Sequence, residues 1–189
     1  MAGRWRWRRI MDFKKVLNIL LDFFRQNDIR FAVIGAFGLS AYGLPRMTQD
    51  LDFAVEKASQ AKIVSFLESQ NYETLYLSTG YSNHLHSNRD MGRLDFVYLD
   101  KETAEIIFSD TQEKPFGQGV SLPVPRPEHI AAMKIFAMKN DPSREYREMA
   151  DVQFLLSLPD VDRDEIKRYF EHYGLPDKYE EIEKNLEAS

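Results

Sequence analysis

The chain has 189 residues, of which 43% are apolar and 13% aromatic, and a formal net charge of −5. That composition supports a packed core and excludes a disordered chain. No apolar run reaches the roughly 18–20 residues of a membrane span, and the absence of cysteine excludes disulfides and thiolate-bound zinc.

The charge is uneven. Four arginines lie within the first ten residues, alternating with tryptophan from Arg4 to Arg9, so the remainder carries −9. This alternation reads as a basic-aromatic arm for nucleic acid or an anionic surface or, the favoured expectation, as a disordered leader over residues 1–11 with Met11 as the natural start. No secretory signal is recognisable, and the expected location is the cytoplasm. The acidic balance does not announce nucleic acid, so an anionic substrate needs a local basic patch or a bridging metal.

In chain order, Asp12 caps a predicted helix to about Asn27, with Val16, Leu17, Leu20, Leu21 and Phe24 at helical spacing. A strand follows over 30–34 and ends at Gly35. Residues 36–43 read as a short helix closed by Gly43 and the Leu44-Pro45 break. A second strand over 50–55 carries Asp50 and Asp52 on one face and Leu51, Phe53 and Val55 on the other. Residues 59–70 form an amphipathic helix, 73–78 and 83–87 form strands, and 88–92 form a turn. The strand over 93–99 places Asp95 between Leu94 and Phe96. Ala104 to Phe108 reads as one helical turn, 114–117 as a loop and 120–124 as a short strand. Prolines 123, 125 and 127 mark a boundary, beyond which helices are predicted over 127–139, 143–157, 162–173 and 177–187. The expected organisation is an α/β (α+β) core over 12–124, a mixed sheet flanked by helices, then a helical bundle over 125–189 packed on it.

Like charges at Asp50 and Asp52 oppose folding and are reasonable where a divalent cation sits between them. Asp95 interrupts an apolar strand, where an unpaired carboxylate is costly to bury. If these strands are neighbours, the three carboxylates can converge on Mg²⁺ or Mn²⁺. Such ions polarise a phosphoryl group and stabilise attacking and leaving oxygens. The turn at Gly35-Ala36 offers backbone N–H groups to a phosphate, and Arg46 offers a fork-shaped donor. His84 and His86 share a strand face but lack a third metal ligand. Tyr72, Tyr76, Tyr81 and Tyr98 can stack on a base or pack in a core.

Ile34-Gly35-Ala36, a gap of thirteen residues, Asp50-Leu51-Asp52 and the later Asp95 together resemble the DNA polymerase β-like nucleotidyltransferase superfamily. Within it, the chain is most similar to the AbiEii-type nucleotidyltransferases, the toxins of toxin–antitoxin systems. The likeness rests on Gly38 to Asp52 with its Arg46-x-Thr48 pair, on Pro127 to Lys134, and on Arg144 to Asp151. It implies that Asp50, Asp52 and Asp95 hold the metal, and that Gly35, Ala36, Arg46, Thr48 and Lys134 receive the triphosphate. Asp151 would orient Lys134 or act at the reaction centre. The sequence departs from the superfamily pattern at Ala36, where Gly or Ser is usual, and at Arg147-Glu148, where Lys-Asp is common.

The resemblance implies transfer of NMP from an NTP such as ATP to a hydroxyl of a tRNA 3′ end or a protein, with pyrophosphate released and a cognate antitoxin as partner. Two alternatives stay open. One is a non-catalytic nucleotide- or partner-binding module of the same fold; the other is a small-molecule, antibiotic-type nucleotidyltransferase.

Overall fold

The computed structural model describes residues 11–46, 48–117 and 119–187. It divides into two units, one of residues 1–37 and 47–109 and the other of residues 38–46 and 110–189. The division thus falls between Ser109 and Asp110, ahead of the proline-rich boundary, and assigns residues 38–46 to the second unit. The predicted leader lies outside the described residues except for Met11. That residue is buried, and the adjacent Asp12 N–H donates to Asp90 O at 2.8 Å.

The first unit is built on a five-stranded mixed sheet of order β1-β2-β5-β4-β3. Its strands are β1 (Phe31–Val33), β2 (Asp50–Glu56), β3 (Tyr72–Leu77), β4 (Tyr81–His86) and β5 (Arg93–Leu99). β2 and β5 run parallel in the centre, and the other pairings are antiparallel. The period of two sends Leu51, Phe53, Val55, Leu94, Phe96 and Tyr98 to one face, and all are buried.

That face is covered by α1 (Phe13–Gln26) and α3 (Gln60–Ser69). The Asp12 side chain caps α1 by accepting from the Lys15 N–H at 3.1 Å. Phe24 of α1 lies 5.7 Å from the Phe53 ring and 6.5 Å from Phe96, and Phe23 stacks on Phe66 of α3 at 3.8 Å. Burial of the Phe23, Phe24, Phe53 and Phe96 rings contributes about 1.5–3 kcal/mol each over an exposed one. Helix α4 (Lys101–Phe108) closes the unit. It is longer than the single turn expected, because Asp100 caps its start by accepting from the Thr103 N–H at 2.8 Å.

Between the sheet strands the chain makes α2 (Gly35–Ala41), whose first residues belong to the first unit and whose last belong to the second. The second unit continues with the hairpin β6 (Gln112–Pro115) and β7 (Ser121–Val124), then α5 (Pro127–Asn140), α6 (Glu145–Leu156), α7 (Arg163–His172) and α8 (Pro176–Glu187). β6 covers part of the predicted 114–117 loop; its polar, exposed residues carry no hydrophobic alternation. α5 is buried around most of its circumference, with Ile130, Ala131, Lys134, Ile135 and Met138 all enclosed.

Candidate functional site

The second face of the sheet carries the acids. Asp52 stands opposite Asp95 in the parallel β2–β5 register, and Asp50 stands opposite Arg93. Parallel strands in register present paired residues on the same side, so Asp50, Asp52 and Asp95 share one face, away from the Phe24 core. Thr48 fixes how β2 begins. Its Oγ1 accepts from the Asp50 N–H at 3.2 Å and donates to the Asp50 carbonyl at 3.3 Å.

Gly35 is required by its neighbour. Its φ is +62°, and a Cβ added there would lie 2.8 Å from Asp52 Cβ and nearer still to the carboxylate. The Ile34 N–H also donates to Asp52 O at 3.0 Å. The glycine therefore lets the backbone of the β1–α2 turn press against Asp52.

Asp95 is 7% exposed and is held by three side chains. Tyr81 Oη donates to Oδ2 at 2.9 Å, Asn83 Nδ2 to Oδ1 at 3.1 Å, and Arg93 Nε to Oδ1 at 2.9 Å. Asn83 Nδ2 also donates to Tyr81 Oη at 2.5 Å. The hydrogen bond from Arg93 to Asp95 raises the guanidinium pKa further. Burial, then the Asp95 charge, pushes the Tyr81 phenol well above its usual range. A carboxylate offers about four lone-pair directions, so Asp95 keeps about one beyond these donors.

The second unit holds a different cluster. Lys134 of α5 reaches Glu148 Oε2 at 2.8 Å and Asp151 Oδ2 at 2.7 Å, and both acids on α6 are fully buried. Arg46 pairs with the other oxygen of Asp151, and Arg144 with Glu148 Oε1 at 2.6 Å. Three cations thus enclose two carboxylates. Burial alone would raise the Glu148 pKa, but attraction and hydrogen bonding from Lys134, then Arg144, outweigh it and leave the pKa lowered. Glu148 and Asp151 meet Lys134 together because their i,i+3 spacing puts them on one side of α6.

The predicted residues therefore form two groups, one in each unit: Gly35, Ala36, Thr48, Asp50, Asp52 and Asp95 in the first, and Arg46, Lys134 and Asp151 in the second. Sequence reasoning singled out Tyr81 only as a ring that stacks or packs, not as a partner of Asp95, and overlooked Asn83 and Arg93; their alternation with Asp95 across β4 and β5 was the available signal. It also overlooked Arg144 as the i,i+4 partner of Glu148. His84 lies on the core face. Its Nδ1 is 3.2 Å from Thr74 Oγ1 and its Nε2 is 2.8 Å from Ser82 Oγ. Among the described residues no group of three or more His, Cys, Asp or Glu side chains is arranged to hold a metal ion. Also among them, no helix is long and apolar enough to cross a membrane.

The sequence model of the family described as "Nucleotidyl transferase AbiEii toxin, Type IV TA system" matches residues 57–188, about seven tenths of the chain. The match starts directly after β2, so the Asp50–Asp52 strand lies outside it. No curated protein matches the sequence. The fold is similar to that of the antibiotic-resistance factor ANT(2'')-Ia in its complex with adenylyl-2''-tobramycin, with a TM-score of 0.62, 8% identity, and coverage of 85% of this chain and 97% of that one. It is also similar to an antigenic nucleotidyltransferase-like protein from Paracoccidioides brasiliensis, with a TM-score of 0.53, 14% identity, and coverage of 91% and 92%. A putative nucleotidyltransferase from Thermotoga maritima matches with a TM-score of 0.51, 11% identity, and coverage of 76% and 97%. At these identities the likeness establishes the fold.

Proposed function

The chain belongs to the AbiEii family of nucleotidyltransferase toxins, and on that premise we propose that it transfers NMP from an NTP to an acceptor hydroxyl with the help of a divalent cation. The observation that carries this reading is the acidic face. Asp50 and Asp52 project from one side of β2, and Gly35 presses backbone against Asp52.

The donor set fits the cation. Mg²⁺ is usually bound through one or two carboxylates, with substrate phosphate oxygens and water completing its shell. Asp50 and Asp52 supply that pair, and Asp95 has about one acceptor direction left for the ion or the acceptor hydroxyl. When bound, the ion would neutralise phosphate charge and polarise the α-phosphoryl group.

In the transfer, the acceptor oxygen forms a bond to the α-phosphorus while the bond between that phosphorus and the bridging oxygen breaks. Pyrophosphate leaves with the electron pair, and the hydroxyl proton passes to a carboxylate or to water. The N–H groups at Gly35-Ala36 in the first unit are the proposed triphosphate contacts there, and the family resemblance puts the Arg46 guanidinium and the Lys134 ammonium of the second unit among the phosphate-binding groups. Lys134 has three N–H donors and spends two on Glu148 and Asp151. Asp151 is the residue that positions both Arg46 and Lys134. Thr48 acts through the backbone of Asp50. The protein would work in the cytoplasm, where NTPs are available, and would be counteracted by a cognate antitoxin.

The test is incubation with each α-labelled NTP and Mg²⁺ or Mn²⁺, with RNA, a protein extract or aminoglycosides offered as acceptors, beside Asp50→Ala and Asp52→Ala. Label entering one acceptor pool and lost in both variants is the expected result. Nucleotide binding without transfer to any pool would replace this reading with a binding module, and absence of metal-dependent NTP binding would remove it.

A further inference from the structure

Arg46 reaches Asp151 from an irregular segment rather than from a helix or strand. Loops are more mobile than the elements they connect, so a side chain presented from one needs its backbone held. Three residues separate Arg46 from Tyr42, and each is restrained. Gly43 takes a left-handed φ of +101°. Leu44 is bonded through both backbone groups: its N–H donates to Leu39 O at 3.1 Å, and its carbonyl accepts from Ser40 Oγ at 3.3 Å. Leu39, which receives that N–H, is fully buried. The ring of Pro45 fixes its own φ. Tyr42 and Arg46 are therefore the two ends of one stiff turn, and both belong to the second unit.

The Tyr42 end is clamped twice. Its hydroxyl donates to the Pro125 carbonyl at 2.9 Å, in the connection between β7 and α5. The Lys114 ammonium of β6 lies over its ring, 4.4 Å from the centre. Burial, then the charge of Glu128, pushes the phenol well above its usual range, so the hydroxyl stays a donor at physiological pH. A tyrosine that only filled space would need its ring alone, whereas here the ring and the hydroxyl each have a partner on a different element. We propose that Tyr42 is the positioning residue for Arg46: held by Pro125 and Lys114, it fixes the turn that sets the guanidinium on Asp151 and keeps it available to a triphosphate. The proposal rests on the reading of Arg46 as a phosphate-binding group. It gives the short β6–β7 hairpin a part in nucleotide affinity, since Lys114 acts on Arg46 through the Tyr42 ring.

Tyr42→Phe keeps the ring and removes the donor. Lys114→Met takes the cation off the ring, and Lys114→Arg returns one that stacks there. Position is read by the rate at which phenylglyoxal modifies Arg46 in the intact chain, followed by peptide mass spectrometry, with Arg163 of α7 as the reference. Function is read by titration with a fluorescent NTP and Mg²⁺, and by separate KM values for NTP and acceptor. A loosened turn frees the guanidinium from Asp151. Tyr42→Phe should therefore raise Arg46 modification and weaken NTP binding about fivefold each, with Arg163 and the acceptor KM unchanged. Lys114→Met should move both readings in the same direction, and Lys114→Arg should restore them to within about twofold. In an Arg46→Met background Tyr42→Phe should have no further effect on NTP binding, because the two residues act as one unit. Unchanged Arg46 reactivity in Tyr42→Phe, or losses of NTP affinity that add in the double variant, would overturn the proposal. Raised reactivity in a protein whose NTP binding is indifferent to Arg46→Met would support the positioning of Arg46 and overturn its phosphate-binding role instead.

Discussion

Replacing Gly35 with alanine tests the acidic site through one methyl group. Two penalties are separable. A left-handed backbone costs an L-residue about 1–2 kcal/mol, and Gly35 has φ +62°. The new Cβ would also sit 2.8 Å from Asp52 Cβ, where ordinary contact begins beyond 3.4 Å, with the carboxylate closer still. Overpacking of this kind costs about 1–3 kcal/mol. Together, about 2–5 kcal/mol should lower Tm by about 10 °C for a protein of this size. Relief requires Asp52 or the turn to move, and a displacement of about 1 Å at a reacting centre can cost about a hundredfold in rate. Circular dichroism melts and single-turnover transfer read the two effects. The discriminating measurement repeats Gly35→Ala in an Asp52→Gly background. There the carboxylate is gone, so the overpacking part should be recovered while the backbone part persists. An identical loss of stability in both backgrounds would refute the contact as its origin, and wild-type activity in Gly35→Ala would refute the link between this turn and Asp52.

Lys134→Met leaves Glu148 and Asp151 buried without their shared cation, and removing one partner of a buried ion pair costs about 3–5 kcal/mol, to be read as a urea midpoint. Thr48→Val removes both hydrogen bonds to the Asp50 backbone. It should cost about 1 kcal/mol of stability while lowering transfer more than that figure converts to, as seen by comparing kcat with the urea midpoint. His84 and His129 are both held below their ordinary value of 6.5, mainly by burial. The unfolded chain therefore takes the proton first. Stability present above pH 6.5 is lost as pH falls below it and through the folded values, and His84→Gln should shrink the difference between urea midpoints at about pH 7.5 and about pH 5.5. Glu148, lowered from 4.5, adds a second loss in stronger acid that Lys134→Met should reduce.

Most of the fold was legible because its elements are periodic. α1 and β2 follow their hydrophobic spacing, and β5 was recognisable from Leu94, Phe96 and Tyr98 alternating around Asp95. β6 was not, because Gln112, Glu113 and Lys114 show no hydrophobic alternation; they pair with β7, and the Lys114 ammonium lies over the Tyr42 ring at 4.4 Å. The acidic face was readable from the period of two in Asp50-Leu51-Asp52. The fate of Asp95 was not, since two of its three partners, Tyr81 and Asn83, come from β4, and strand order is set by long-range pairing rather than local pattern. Lys134 stood between Met133 and Ile135 with no polar face to orient it. Its burial follows from α5 being apolar nearly all round, which a sequence shows only once the neighbouring helices are placed.

The parallel pairing of β2 with β5 also sets when this face comes into existence. An antiparallel neighbour could have followed within a few residues, but Asp52 meets Asp95 only after α3, β3 and β4 have been made. The entropy of closing such a loop grows as about (3/2)RT ln n and must be met before the central contacts form. β5 is flanked by β2 and β4, so a chain cut or stalled before Arg93 lacks the strand that joins the two halves of the sheet. For a toxin, this delays assembly of the three carboxylates on one surface until more than half of the polypeptide is available, and incomplete synthesis products are left without the acidic face.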